Sequence, residues 1–282
     1  MVARALIACI LVVAAVSFLT LQSTNSYSTL SVDSELTWDD EAVPELIARG
    51  FVVRDAVTGN ILFEREADVQ KPIASLTKLF IAHSALSSAS VDATTTLTWG
   101  DVNTEGDAGQ LEYGDEYSVR ELVFPYMLVS SNDAGSAIER TLTKSYMTDT
   151  IDELIRTLEL QSTTIVDATG LSAANVSTPN NLAEFILYLT KNDRHLLDIT
   201  TLRSYAGEHQ GWINNDPARK LDSFRGGKHG FTNEAVRTFA GEFEYPYTGG
   251  QRQFIVVLLG SNDLTSDIGQ LDTFFRNSVT FE

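Results

Sequence analysis

Apolar and polar residues alternate from Phe51 to Glu64 around Thr58-Gly59-Asn60. That period of two, broken by a turn-forming triplet, predicts a β-hairpin. From Ser75 to roughly Leu202 the spacing becomes three and four, so this stretch reads as mainly helical. Asp152 to Leu160 follows the pattern, as does Asn181 to Leu189, whose Leu182, Phe185, Ile186 and Leu189 form one stripe. The stripe has the spacing of a core face, not of a cofactor site. Strand character returns at Thr238 to Tyr245 and Phe254 to Leu259, and Ile268 to Val279 has the spacing of a closing amphipathic helix. The start and end of the folded region would then share one sheet, with helices inserted between them. No internal repeat is visible.

The N-terminus departs from these patterns. Arg4 precedes an almost wholly apolar run from Ala5 to Leu21. One cation before such a run orients a chain with its start in the cytoplasm and the rest outside. Residues 1–22 are therefore expected to be a signal peptide or an N-terminal membrane anchor; the run is long for the first and short for the second. Leu6-Ile7-Ala8-Cys9 resembles a lipidation box, yet the apolar stretch follows the cysteine instead of preceding it. Lipidation is not expected. Residues 23–46 are rich in Ser, Thr, Asp and Glu with little periodicity, as a linker would be.

Composition narrows the function. The 282 residues are 43% hydrophobic, enough for a large core in one or two lobes. Lys+Arg 20 against Asp+Glu 38 gives a net charge of -18, which repels nucleic acid. Cys9 is the single cysteine, so no disulfide is expected. His83, His195, His209 and His229 show no zinc-ligand spacing, and neither a G-x-x-x-x-G-K-[ST] nor a G-x-G-x-x-G loop occurs. No metal or cofactor is implied.

Three short strings carry the candidate chemistry. Ser75-Leu76-Thr77-Lys78 follows Lys71-Pro72-Ile73-Ala74, with Pro72 placed where a helix can begin. Residues three apart share a helical face, so the Lys78 amine can reach the Ser75 hydroxyl while free N–H groups of the first turn face any oxyanion formed there. An isolated S-x-x-K is more often an ordinary helix start, but Leu76, Leu79 and Phe80 flank this lysine and favour partial desolvation. Ser130-Ser131-Asn132 lies between two helical patterns, where Asn132 or Asp133 could simply cap the second helix. Facing Ser75, the same turn would offer a hydroxyl to relay a proton and an amide to hold a carbonyl. Lys228-His229-Gly230 follows Gly226-Gly227; it reads as a glycine-rich turn, or as a strand that lets a substrate approach closely beside a cation.

The order and setting of these strings are similar to those of low-molecular-mass penicillin-binding proteins, the serine-type D-alanyl-D-alanine carboxypeptidases of the β-lactamase/DD-peptidase superfamily. Phe51 to Glu64 resembles the family's opening hairpin, Tyr113 to Leu122 its lead-in to the S-x-N turn, and Asp167-Ala168-Thr169-Gly170-Leu171 a loop between its helices. The likeness implies an α+β fold, an antiparallel sheet flanked by helices with an inserted all-helical lobe at about 80–205, within a catalytic domain at 47–282. It implies hydrolysis of peptidoglycan stem peptides ending in D-Ala-D-Ala through an acyl-enzyme, with β-lactams as covalent inhibitors, in an extracytoplasmic enzyme. It assigns catalysis to Ser75, Lys78 and Ser130, substrate binding to Asn132, Lys228 and His229, and the oxyanion hole to the backbone N–H groups of Ser75 and Phe231.

One position departs from the family, which usually has Thr or Ser where this chain has His229. An imidazole can replace the hydroxyl as donor to the substrate's carboxylate, with full charge only when protonated, so binding should weaken as pH rises through about 6.5. A β-lactamase would share these residues but needs a base for deacylation. No E-x-x-L-N string supplies one, and Asp167 and Glu184 are the nearest carboxylates. A non-catalytic wall-binding module has only the His229 change in its favour.

Overall fold

Both ends of the described chain contribute to the sheets. The computed structural model describes residues 36–38, 40–106, 109–247 and 250–281. Leu36–Trp38 (β1) comes first, followed by the expected hairpin of Gly50–Asp55 (β2) and Ile61–Arg65 (β3). Its turn is tied by Asp55, whose carboxylate accepts from the Thr58 hydroxyl at 2.6 Å and the Val57 N–H at 3.0 Å, and by Gly59 at φ 79°. After the helical region come Phe224–Thr232 (β4), Val236–Tyr247 (β5) and Gly250–Ser261 (β6). The sheet order is β4-β5-β6-β2-β3, antiparallel throughout, so β4 is an edge strand.

Among the described residues, the region between the hairpin and β4 holds six helices of eight or more residues: Thr77–Leu86 (α1), Val119–Leu128 (α2), Asn132–Leu142 (α3), Lys144–Thr157 (α4), Pro179–Asn192 (α5) and Arg194–Thr201 (α6). Leu264–Asn277 (α7) closes the other side, and Val279–Phe281 (β7) pairs with β1. Strand alternation divides the core. Val52 and Val257 face the helical region with Leu79, Phe80 and Phe185, whereas Phe51, Val256 and Phe239 face α7 with Ile268, Leu271 and Phe275. The stripe on α5 is indeed core: Leu182, Phe185, Ile186 and Leu189 are fully buried, and Phe185 stacks on Phe80 with ring centroids 3.9 Å apart.

Three expectations are corrected. The helix does not begin at Pro72; Lys71–Pro72 pairs instead with Val176–Ser177, and the chain turns through a 3-10 helix, Ala74–Leu76, before α1. The fixed φ of proline suits either state, and the strand partner lies a hundred residues away. The closing helix starts earlier, at Leu264, because the Asp263 carboxylate accepts from the Ser266 N–H at 3.0 Å. The stretch expected to be linker is structured from β1 onward, and Leu46 is buried. The signal or anchor at 1–22 and the linker up to residue 35 lie outside the described residues. Among the described residues no helix is long and apolar enough to cross a membrane.

Candidate active site

Ser75 sits in the 3-10 turn, between Ala74 at φ 50° and α1. A positive φ on a residue with a side chain is strained, and here the strain adjoins the candidate nucleophile. Strand β4 runs directly beside it. A Cβ added to Gly230 would lie 2.7 Å from the Ser75 nitrogen and 2.8 Å from Thr238 Oγ1, so only glycine lets the two backbones meet.

The direction of the β4 backbone follows from one bond. Gly227 N–H leaves the sheet to donate to Thr200 Oγ1 at 2.9 Å. With a period of two, the N–H groups of His229 and Phe231 point out of the same free edge. The N–H groups of Ser75 and Phe231 thus stand on facing segments at the cleft. Side chains obey the same alternation, which puts Lys228 on the face of Gly230, opposite Ala240 and Thr238.

Lys78 is fully buried. Its Nζ lies 3.2 Å from Ser75 Oγ and 2.8 Å from Asn132 Oδ1, bonds the Thr169 carbonyl, and stands 5.4 Å from the Tyr126 ring centroid. Asn132 in turn donates through Nδ2 to the Glu105 carbonyl at 2.7 Å, which fixes which end of its amide faces the lysine. The Thr169 carbonyl is held by Asp167, whose carboxylate accepts from the Thr169 hydroxyl and the N–H groups of Thr169, Gly170 and Ser172, and from the Asn175 amide. Burial alone would raise the Asp167 carboxyl, but these donors hold it below the ordinary carboxylate range. The sequence flagged this loop only as a family likeness. Its role in seating the lysine, like the Glu105 carbonyl and the Tyr126 ring, had no local signal.

The Ser130 turn approaches the same site from the helical side. The cap of α3 is Ser131, whose Oγ accepts from the Ala134 N–H at 3.1 Å, not Asn132 or Asp133 as expected. Asn132 is thereby left to serve Lys78. Ser130 is buried at φ 61°, and its Oγ has no hydrogen-bond partner among the described residues. An unsatisfied buried hydroxyl costs about 1–3 kcal/mol, and a strained backbone of this kind adds about as much. Such a combination points to a role outside stability.

Lys228 is buried and donates to the His229 carbonyl at 2.7 Å. His229 lies on the other side of the strand, opposite Phe239, with its Nδ1 3.0 Å from Asp216 Oδ2. Burial pushes the Asp216 carboxyl up, but the hydrogen bond and charge of His229, together with Lys228, outweigh it and hold the group below the ordinary range. Asp216 was not singled out by the sequence; thirteen residues separate it from its partner.

Ser75, Glu105, Gly106, Asn132, Gly170 and Leu171 line one side of a cleft of about 450 Å³, completed by Phe231, Thr232, Asn233 and Glu234. Lys228 and His229 are not part of that lining. The Arg237 guanidinium lies over the Phe231 ring, 5.3 Å from its centroid, and was also missed from sequence. Neither carboxylate considered for a lactamase is poised for water. Asp167 is committed to its loop, and Glu184 pairs with Arg54.

The chain is similar to several known proteins. The family model described as D-alanyl-D-alanine carboxypeptidase matches residues 38–262. The D-alanyl-D-alanine carboxypeptidase DacB2 of Mycobacterium tuberculosis is 26% identical over 226 residues, covering 77% of each chain. A D-alanyl-D-alanine endopeptidase of Haemophilus influenzae is 27% identical over 175 residues, 60% of each. In fold, the chain resembles the crystal structure of a D-alanyl-D-alanine carboxypeptidase from Mycobacterium tuberculosis H37Rv, with a TM-score of 0.74 at 23% identity over 83% of this chain and 94% of that one. A Streptomyces DD-transpeptidase gives a TM-score of 0.70 at 22% identity, covering 82% and 97%.

Proposed function

The chain belongs to the D-alanyl-D-alanine carboxypeptidase family of serine hydrolases, and from that premise we propose how its residues divide the work. The reaction is removal of the terminal D-alanine from a D-Ala-D-Ala stem peptide through an acyl-enzyme. One observation carries the assignment: the buried Lys78 amine lies 3.2 Å from Ser75 Oγ, while Gly230 brings the β4 backbone against the Ser75 nitrogen. The Lys78 amine is within hydrogen-bonding distance of the Ser75 hydroxyl, so it is placed to take the Ser75 proton as the oxygen attacks the penultimate carbonyl. The N–H groups of Ser75 and Phe231 receive the oxyanion, each donor being worth about 3 kcal/mol of barrier. The unpartnered Ser130 hydroxyl passes a proton to the departing D-alanine, and Asn132 orients Lys78 and the substrate amide. Water then releases the shortened peptide.

Lys228 and His229 are assigned to the terminal carboxylate, with Arg237 at the mouth. Asp216 is anionic at neutral pH and takes the Nδ1–H of His229, so only the protonated ring has an Nε2–H to offer an anion. β-Lactams would acylate Ser75 in place of substrate. Members of this family are typically extracytoplasmic cell-wall enzymes; we assign export, with either release or anchoring, to residues 1–22.

Labelled penicillin and release of free D-alanine test this reading together. Slow-turnover labelling with D-alanine release, both lost in Ser75→Ala, is the expected result. Rapid penicillin turnover would mean a β-lactamase, and no labelling would mean a binding module.

A further inference from the structure

An exposed aromatic pair near the cleft has no part in the chemistry above. Trp99 and Tyr113 lie nearly parallel, with ring centroids 4.6 Å apart and planes at 12°, yet Trp99 is 64% exposed and Tyr113 56%. Rings that cover one face of each other and still show so much surface must present their outer faces to water. An open tryptophan in an aromatic patch is a mark of binding. Among the described residues neither the Trp99 indole N–H nor the Tyr113 hydroxyl has a hydrogen-bond partner, so each ring also carries an open polar edge. The mounts are rigid. Trp99 opens a short helix, Trp99–Val102, with a reciprocal cap: Asp101 accepts from the Thr98 N–H at 2.9 Å and Thr98 Oγ1 accepts from the Asp101 N–H at 3.3 Å. Tyr113 sits in a turn tied to Leu97, which donates to the Asp115 carbonyl at 2.8 Å and accepts from the Gly114 N–H at 3.1 Å. Two rings fixed from one short stretch lose little freedom when a ligand lies on them.

The segment leaving Trp99 runs into the cleft. Glu105 and Gly106 are part of its lining, and the Glu105 carbonyl holds Asn132. One short helical turn and three further residues separate Trp99 from Glu105, a reach of at most about 16 Å. The same lining includes Thr232, Asn233 and Glu234, which follow Gly230 on the side of Ser75 away from Lys228. A substrate with its terminal carboxylate at Lys228 leaves the cleft on that side. The rest of its stem, four residues spanning about 14 Å when extended, ends at the glycan strand that carries it. We propose that Trp99 and Tyr113 form a platform for a sugar ring of that strand, a neutral N-acetylated hexopyranose. This rests on the carboxypeptidase reading above. One face of a pyranose is a patch of weakly positive C–H groups, which suits the electron-rich face of an aromatic ring, and its hydroxyl and acetamide groups suit the indole N–H and the phenol at the edge. The setting disfavours anionic occupants: Glu112 beside Tyr113 is exposed, and the net charge of -18 repels nucleic acid and anionic lipid headgroups alike.

Two measurements on the full chain test the platform. Tetra-N-acetylchitotetraose, a soluble glycan without peptide, should give saturation-transfer NMR signals from its ring and acetyl protons with the wild type, weaker ones with Trp99→Ala or Tyr113→Ala, and none with the double variant. Release of D-alanine is then compared between a free stem peptide and the same peptide carried on a glycan fragment. The wild type should favour the glycan-linked form by roughly three- to tenfold in kcat/KM. The double variant should bring that ratio to about one while leaving cleavage of the free peptide and the circular dichroism spectrum unchanged. Absence of sugar signals with the wild type, or a preference that survives the double substitution, would overturn the proposal. So would a wild-type dimer in sedimentation that the double variant abolishes, because a second copy would then occupy the rings. Binding of chitotetraose without release of D-alanine from either substrate would overturn the carboxypeptidase reading and leave the platform standing.

Discussion

The two walls of the cleft are made by opposite means. On the β4 side side chains are missing: Gly226, Gly227 and Gly230 let the strand press against α6, β5 and the Ser75 turn, with virtual Cβ contacts of 2.7, 2.4 and 2.7 Å. The helical side is crowded with polar groups, where Lys78, Asn132, Asp167 and the Thr169 carbonyl hold one another. The strand wall places backbone donors by steric fit, and the helical wall places a base by hydrogen bonding. A defect in the first should therefore displace the oxyanion site, and a defect in the second should disorder the proton transfers.

The largest effect should come from the helical wall. Lys78→Ala removes the base, and acylation by penicillin should slow by about 10³- to 10⁴-fold in stopped-flow labelling, with the fold intact by circular dichroism. A loss under tenfold would mean another group takes the Ser75 proton. On the strand wall, Gly230→Ala must push β4 from Ser75 by a sizeable fraction of an ångström. A shift of that size costs about 10²-fold in kcat. Unchanged kcat would refute the close-approach account. Ser130→Ala should lower kcat by about 10- to 10²-fold while leaving thermal stability unchanged or raised, since it removes an unsatisfied hydroxyl. If the variant instead unfolds several degrees earlier, Ser130 is structural.

How much of this was readable beforehand differs between the walls in a related way. The strand wall was visible in outline, because glycines beside a lysine announce close approach, and the Ser75–Lys78 spacing fixes a shared helical face. The helical wall was visible only as named residues. Nothing local shows that Ser131, not Asn132, caps α3, nor that Asp167 seats the carbonyl that meets Lys78. The meeting of Lys78 with the Thr169 carbonyl spans 91 residues, and the reassignment of Pro72 to a strand rests on its pairing with the equally remote Val176. The Asp216–His229 pair was hidden for the same reason, though His229 itself stood out as the family's missing hydroxyl.

Two smaller effects sharpen the contrast further. If protonated His229 serves the carboxylate, KM for a D-Ala-D-Ala peptide should rise severalfold as pH climbs through the histidine range, about 5 to 8, with kcat little changed. His229→Thr should flatten that rise; an equally steep profile in the variant would remove His229 from substrate binding. Asp167 has its folded-state carboxyl lowered, so its stabilising contribution is complete above the unfolded value near 4 and is lost as pH falls through the folded one. Asp167→Asn should lower Tm at pH 7 by about 2–8 °C, and the gap from wild type should narrow below pH 4. A constant gap would show that the charge of Asp167 does not matter.

The pairing of β1 with β7 sets Leu36 beside Phe281 in register. The two backbones are thus one interstrand spacing apart, about 5 Å. A few glycines and serines could bridge them, and the polypeptide could be reopened at the exposed hairpin tip near Gly59, well away from the cleft. Such a circular permutant would place fusion points on the far rim of the sheet and leave the reactive serine unencumbered.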